Sequence, residues 1–383
     1  MPNFYRERLE RVRQAMRQWG ADWMFLNYGA DFTYLTGITT PMYYPILKGL
    51  GDWITGLFFG LDGDPVLFLQ KSFAINVEEQ TWIQDIRVLP DGEDPDAFLA
   101  RNLAVFPTAG KTIAVSKMLW AQSLLSLQAA APGARFIPAT NEMMDRIRAI
   151  KDEQEIRLMQ RAAEITDAAL AATVKVMKAG MTERDVAIEV DYQIRRCGGD
   201  GYSFYPGIIC VGNGSDPQRH ILTRNTDMVL APGTTVAFDF GVLYQGYCSD
   251  FGRSAFIGEP QADALAAYRS ITQASQAAMN IMAEGQVTPA QIADFVRDRV
   301  TADGFGEWYW YLGLGHGIGL EVHEWPWLRP GFNEPVRAGM CFTLEPKVWK
   351  PGVFYVRCED VVVVGKDRAN SLTKFCYEPI VIE

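Results

Sequence analysis

The sequence has no dense cluster of lysine and arginine, no C-x-x-C pair and no apolar run of membrane-spanning length. It has 3 histidines in 383 residues. Each shortage removes a class of function. With 36 basic against 46 acidic residues, the formal charge is -10. An acidic surface repels phosphate backbones, so nucleic acid is excluded as a partner. No stretch approaches the roughly 18 apolar residues of a membrane span, so none is expected to cross or line a membrane. The opening residues, Met1 to Glu10, are charged and helical in pattern, with no apolar core for a signal peptide. The six cysteines, Cys197, Cys210, Cys248, Cys341, Cys358 and Cys376, are expected to be reduced thiols in a cytoplasmic protein.

What is present describes a globular chain. Charged residues make up 21%, too few for disorder, and hydrophobic residues make up 48%, enough for sizeable cores. The length suits two or three domains. Residues 4–19 read as an amphipathic helix stopped by Gly20. Residues 23–26 read as a strand, and 56–69, broken at Asp62-Gly63, as a hairpin. Further strand-like runs fall at 86–89, 113–115 and 135–137, with helical segments between them. This first part reads as an α/β domain. From 142 to 177 the pattern is strongly helical, which puts the boundary near Ala149 to Lys151. We divide the chain into 1–149 and 150–383.

The second part mixes helices with antiparallel-looking strands at 208–211, 235–240, 340–344 and 361–364, an α+β pattern. Thr182 with Asp185, and Thr288 with Pro289, open helices. One internal echo stands out. Gly233 precedes a strand ending in Asp239, and Gly339 precedes one ending in Glu345, six residues on in both. A second acidic residue follows each, Asp250 and Glu359. Two half-units that each supply two carboxylates suggest a pseudo-twofold site.

Two of the histidines, His316 and His323, lie in one glycine-rich segment, Gly313-Leu-Gly-His316-Gly-Ile-Gly-Leu-Glu-Val-His323-Glu324. Glycines let backbone approach a metal or substrate closely, and histidine ligates as a neutral base. Asp239 and Glu345 end apolar strands, where a carboxylate is costly unless paired or metal-bound. A single such carboxylate is commonly solvated at a strand end. Four of them beside a glycine-flanked histidine make an oxygen-rich set suited to Mn(II), Co(II), Fe(II) or Zn(II), not to a thiolate zinc site.

The ordered motifs Asp239-Phe-Gly, Gly246-Tyr-x-Ser-Asp250-x-x-Arg-Ser, Gly315-His316-Gly-Ile-Gly-Leu-x-x-His323-Glu, Leu344-Glu345-Pro and Arg357-x-Glu359-Asp resemble the signature of the pita-bread metallopeptidases. That superfamily groups Xaa-Pro dipeptidase (prolidase), aminopeptidase P and creatinase-like enzymes. The resemblance is strongest from about residue 145 to the end, while the first part matches the general pattern of the creatinase/prolidase N-terminal domain. It implies an α/β N-terminal domain plus an α+β C-terminal pita-bread domain. It also implies two divalent metal ions, manganese foremost, with cobalt, zinc or iron as substitutes. Their ligands would be Asp239, Asp250, His316, Glu345 and Glu359, with Asp250 and Glu359 bridging. Glu345 would also take the proton of the attacking water. His220, His323 and Arg357 would act on the substrate or the ligand carboxylates. A homodimer is implied as well, and the 40–53 segment with Tyr44 and Trp53 could then cover a neighbouring site.

The expected reaction is hydrolysis of the Xaa-Pro bond of a short peptide, or of a small amide. The alternative on the same fold is a metal-dependent non-peptide hydrolase or lyase, such as ectoine hydrolase or dimethylsulfoniopropionate lyase. Phe251-Gly252, where many of these peptidases have Ile-Thr, and Ser254 in place of the usual Thr leave the ligands intact but bear on substrate.

Overall fold

The computed structural model describes residues 4–39, 51–75, 77–139, 143–212, 223–310 and 313–383. They form two compact units, Met1–Arg148 and Ala149–Glu383.

The first unit is built on a six-stranded mixed sheet. Its order is Asp85–Val88, Val66–Leu69, Gly56–Gly60, Trp23–Asn27, Thr112–Ser116, Arg135–Ala139. Trp23–Asn27 pairs antiparallel with Gly56–Gly60 and parallel with Thr112–Ser116. Parallel neighbours need a crossover, and helix Ala121–Ala130 connects Thr112–Ser116 to its parallel partner Arg135–Ala139. The strand residues Phe25, Phe58, Phe68 and Ile113 are wholly buried, each contributing roughly 1.5–3 kcal/mol on leaving water. The hairpin at Asp62-Gly63 is present, with Leu57 opposite Leu67 and Gly63 at φ 78°. Left-handed backbone of that kind favours glycine.

The second unit repeats one plan twice. Helices Glu153–Val176 and Glu183–Arg196 precede a sheet ordered Ile380–Ile382, Ser254–Ile257, Thr234–Asp239, Gly207–Gly212. Helices Ala262–Ile281 and Pro289–Ala302 precede a sheet ordered Glu324–Leu328, Gly315–Gly317, Cys341–Leu344, Asp360–Val364, Ala369–Ser371. The second helix of each pair has 14 residues and opens on a threonine capping box, Thr182 with Asp185 and Thr288 with Gln291. In each sheet the strand leading to Asp239 or Glu345 lies between an earlier and a later antiparallel neighbour. Gly233 and Gly339 share the same positive φ, 86°. The echo in the sequence is therefore an echo in backbone geometry.

One expectation needs correction. The helical run read from 142 to 177 is interrupted. Helix Asp145–Ala149 stops, and a new helix, Glu153–Val176, begins after it. Ile150 instead bridges to Met340, and the Lys151 N–H donates to the Gly339 carbonyl at 2.9 Å. Asp152 then caps the second helix with a reciprocal bond to Glu155. Periodicity alone does not register such a break, because the apolar spacing continues across it. No described helix is long and apolar enough to cross a membrane.

Candidate metal centre

In the second unit Asp239, Asp250 and Glu345 line one cavity of about 580 Å³ together with His316. Asp239 ends its strand, and Asp250 follows the short strand Tyr247–Cys248. His316 is the middle residue of Gly315–Gly317. Glycine is required on both sides of it. A Cβ on Gly315 would lie 2.0 Å from the Thr343 carbonyl oxygen, and one on Gly317 would lie 2.7 Å from that of Trp325. His316 Nδ1 is 3.0 Å from its neighbour's carbonyl oxygen, Gly317 O. That leaves Nε2 facing Asp250 Oδ2 at 3.6 Å and Glu345 Oε1 at 3.8 Å. Glu359 is tied across the halves: its N–H donates to the Gly252 carbonyl at 2.8 Å, and Gly252 donates back at 3.3 Å.

Asp250, His316 and Glu359 are buried, and one ligand atom from each lies within 4.8 Å of the others. Asp250 Oδ1 and Glu359 Oε1 are buried without a hydrogen-bond partner among the described residues. Such orphaned oxygens are costly in a native interior, and a cation would satisfy them. The donor set of carboxylates and one imidazole fits a divalent ion of the Mn, Co, Fe or Zn type.

Electrostatics agree. Burial, with the charges of Asp239 and Glu345 adding to it, raises Asp250 well above the usual carboxylate range. Burial does the same to Glu359, against the pull of Arg357. Burial also lowers His316 to about 4, so it is a neutral base at pH 7. Burial would raise Glu345 too, but Lys347, Arg357 and His316 outweigh it and bring it to about 2.

Arg357 links three of the carboxylates. It pairs with Asp239 at 2.6 Å, with Glu345 at 3.2 Å and with Glu359. The His323 ring is 4.2 Å from the His316 ring and stacks on Trp327 at 5.4 Å. Its loop is held by Glu324, which accepts from the Leu320 and Glu321 N–H groups and pairs with buried Lys151 at 2.9 Å. His220 and Tyr44 lie outside the described residues. Trp53 donates to Asp96 at 2.8 Å within the first unit.

The sequence patterns of known families decide what this arrangement belongs to. That of metallopeptidase family M24 matches residues 157–366, and that of the creatinase/prolidase N-terminal domain matches 8–150. The chain belongs to metallopeptidase family M24. It is therefore a pita-bread metallopeptidase that works with divalent metal ions. It is similar to a Lactobacillus delbrueckii subsp. lactis protein named Xaa-Pro dipeptidase, 30% identical over 369 residues, 95% of this chain and 96% of that one. Among solved structures it is similar to an Xaa-Pro dipeptidase from Bacillus anthracis. That match has a TM-score of 0.86 and 25% identity, and covers 99% of this chain and 100% of the other. The dipeptidase PepE of Mycobacterium ulcerans gives a TM-score of 0.80 at 28% identity, covering 99% and 98%.

Sequence reading missed several residues that line this M24 cavity. Phe204 and Tyr205 are the phenylalanine and tyrosine of its lining. Arg224 reaches Asp239 at 3.2 Å, and Lys347 pairs with Glu345. Lys347 carried a signal, since it stands two residues after Glu345. Arg224 carried none, because its contact depends on tertiary folding.

Proposed function

We propose that this metallopeptidase hydrolyses the Xaa-Pro bond of short peptides. The reading rests on the buried Asp250–His316–Glu359 trio with its two unpartnered oxygens. It is supported by relatives similar over both units that are named Xaa-Pro dipeptidases. Asp239, Asp250, His316, Glu345 and Glu359 would hold two divalent ions, manganese first and cobalt, zinc or iron as substitutes. Those ions would supply Lewis acidity, lowering the pKa of water and polarising the scissile carbonyl.

The chain's own groups do the rest. Glu345 accepts the proton of the attacking water and passes it towards the leaving nitrogen. His323, held flat on Trp327, donates a hydrogen bond to the charge that develops on the carbonyl oxygen. Arg357 fixes the orientation of Asp239, Glu345 and Glu359. His220 would approach the substrate from the segment before Asp239. Free thiols at all six cysteines, including exposed Cys376, suit a cytoplasmic protein. A homodimer follows from the family resemblance. The charge of -10 argues against nucleic acid.

The experiment is a hydrolysis screen on chelator-stripped protein refilled with Mn(II), Co(II), Zn(II) or Fe(II). It would use Xaa-Pro dipeptides, Xaa-Pro-Yaa tripeptides and non-peptide amides. Metal-dependent Xaa-Pro cleavage is expected, with Glu345→Ala slower by roughly 10²–10⁴-fold, the range for a lost general base. Metal binding without peptide cleavage would move the assignment to a non-peptide substrate.

A further inference from the structure

The second unit has another cavity, of about 420 Å³, that shares no lining residue with the metal centre. Helix Ala262–Ile281 forms one wall through Gln276 and Asn280, four residues apart and so on one helix face. Strand Ala369–Ser371, with Arg368 before it, and the segment 373–377 form the others. In a chain of net charge -10, this lining holds two cations, Arg368 and Lys374, and no acidic residue. Among the described residues neither cation is in an ion pair. The Lys374 ammonium donates to the carbonyl of Ser371, another lining residue.

The segment 373–377 is pinned from behind. Arg253 donates to the Phe375 carbonyl at 3.0 Å and to the Cys376 carbonyl at 3.2 Å. Asp360 accepts from Thr373 at 2.6 Å and from Tyr377 at 2.9 Å, and the buried Asp167 carboxylate accepts from the Lys374 N–H at 2.5 Å. The acids behind this wall are thus already engaged, Asp360 by Arg253 and Asp167 by backbone N–H groups. A wall fixed before a ligand arrives costs little further ordering on binding. The guanidinium fork of Arg368 matches the oxygens of a carboxylate or a phosphate, and the amides of Gln276 and Asn280 add neutral donors. Met279 and Phe375 offer apolar surface beside them.

We propose that this cavity binds a small organic acid, held by Arg368 and Lys374 through a carboxylate or phosphate group. Its volume falls in the range of small-molecule sites. The site is separate from the metal centre and does not rest on the peptidase reading.

Cys376 supplies the readout, since it lines the cavity and is the one exposed cysteine of the six. Full-length protein loaded with Mn(II), with free metal removed, is alkylated at constant ionic strength, and modification of Cys376 is followed by mass spectrometry. The probes are succinate, inorganic phosphate and the neutral succinamide. With a Kd on the order of 1 mM, about 10 mM of a binding anion should slow alkylation about tenfold. Slowing by succinate alone assigns a carboxylate ligand, and slowing by phosphate alone a phosphate-bearing one. Arg368→Gln/Lys374→Gln should abolish the effect. Both positions are exposed, and thermal unfolding checks that the variant folds. If it does not fold, the comparison with succinamide in wild type decides. No slowing by either anion would overturn the proposal, as would equal slowing by succinamide or slowing that persists in the folded variant. An anion held at the metal centre instead would leave Cys376 as reactive as before.

Discussion

Arg253 and Asp360 form an ion pair at 2.8 Å in which neither side chain reaches solvent. The pair is fully hydrogen-bonded. Arg253 also donates to the Gly252, Glu359 and Phe375 carbonyls, and Asp360 accepts from Thr373 and Tyr377. The Phe251 and Tyr377 rings flank the guanidinium at 4.6 and 4.8 Å. Removing one partner strands the other charge in the interior. Asp360→Ala should therefore cost about 3–5 kcal/mol of stability, read from urea unfolding. Because Arg253 grips the carbonyl of Glu359, metal affinity should fall with it. The double variant Arg253→Met/Asp360→Leu should recover much of the stability. A single variant as stable as wild type would sink this account.

Gly315 offers a sharper steric test. Its missing Cβ would lie 2.0 Å from the Thr343 carbonyl oxygen, backbone against backbone, with no flexible atom to move aside. Gly315→Ala should shift His316 and weaken metal binding, with a stability loss of roughly 2–4 kcal/mol. Unchanged metal affinity in this variant would show that the strand accommodates a methyl group after all.

How much of this was legible beforehand differs by residue. The ligands could be read because each carries a local mark. Asp239 and Glu345 end apolar strands six residues after matched glycines, and His316 stands between glycines that a close approach demands. Helix starts at Thr182 and Thr288 were equally local, since a capping box spans four residues. The break at 150–152 was not local. It is caused by pairing with Met340 and Gly339, nearly two hundred positions away in the chain. Arg224 and the aromatic pair Phe204 and Tyr205 were hidden for the same reason. Only the folded sheets bring them to the cavity.

Asp167 is expected to set a pH dependence of stability. Burial raises its pKa from the ordinary 3.8 to about 6, against backbone hydrogen bonds from Lys374 and Phe375. Its Oδ1 has no hydrogen-bond partner among the described residues. A carboxyl raised in the folded state is stabilising while protonated. That contribution is complete below about 3.8 and is lost as pH rises through about 6. Asp167→Asn mimics the protonated form, so it should raise Tm by about 1–4 °C at pH 8 and change little at pH 4. Scanning calorimetry at the two pH values decides it, and an equal effect at both would rule out the titration of Asp167 as the cause.

Metal binding should itself depend on pH, with a definite sign. Burial, with the charges of neighbouring carboxylates adding to it, raises Asp250 and Glu359 well above the ordinary carboxylate range in the metal-free protein. They therefore retain protons at a pH where exposed carboxylates have lost them. A metal ion needs both as carboxylates, so binding expels protons, and apparent affinity rises with pH until both are ionised. His316 does not oppose this trend at neutral pH, because burial has lowered it to about 4 and it is already neutral. Titrating Mn(II) at a fixed mildly acidic pH in buffers of different ionisation enthalpy measures the proton count directly. The observed enthalpy should vary linearly with the buffer's ionisation enthalpy, with a slope that reports net release. That slope should shrink as pH is raised. A slope of zero at mildly acidic pH would mean that Asp250 and Glu359 are ionised before the metal arrives, held in that state by Arg357 and Lys347 instead.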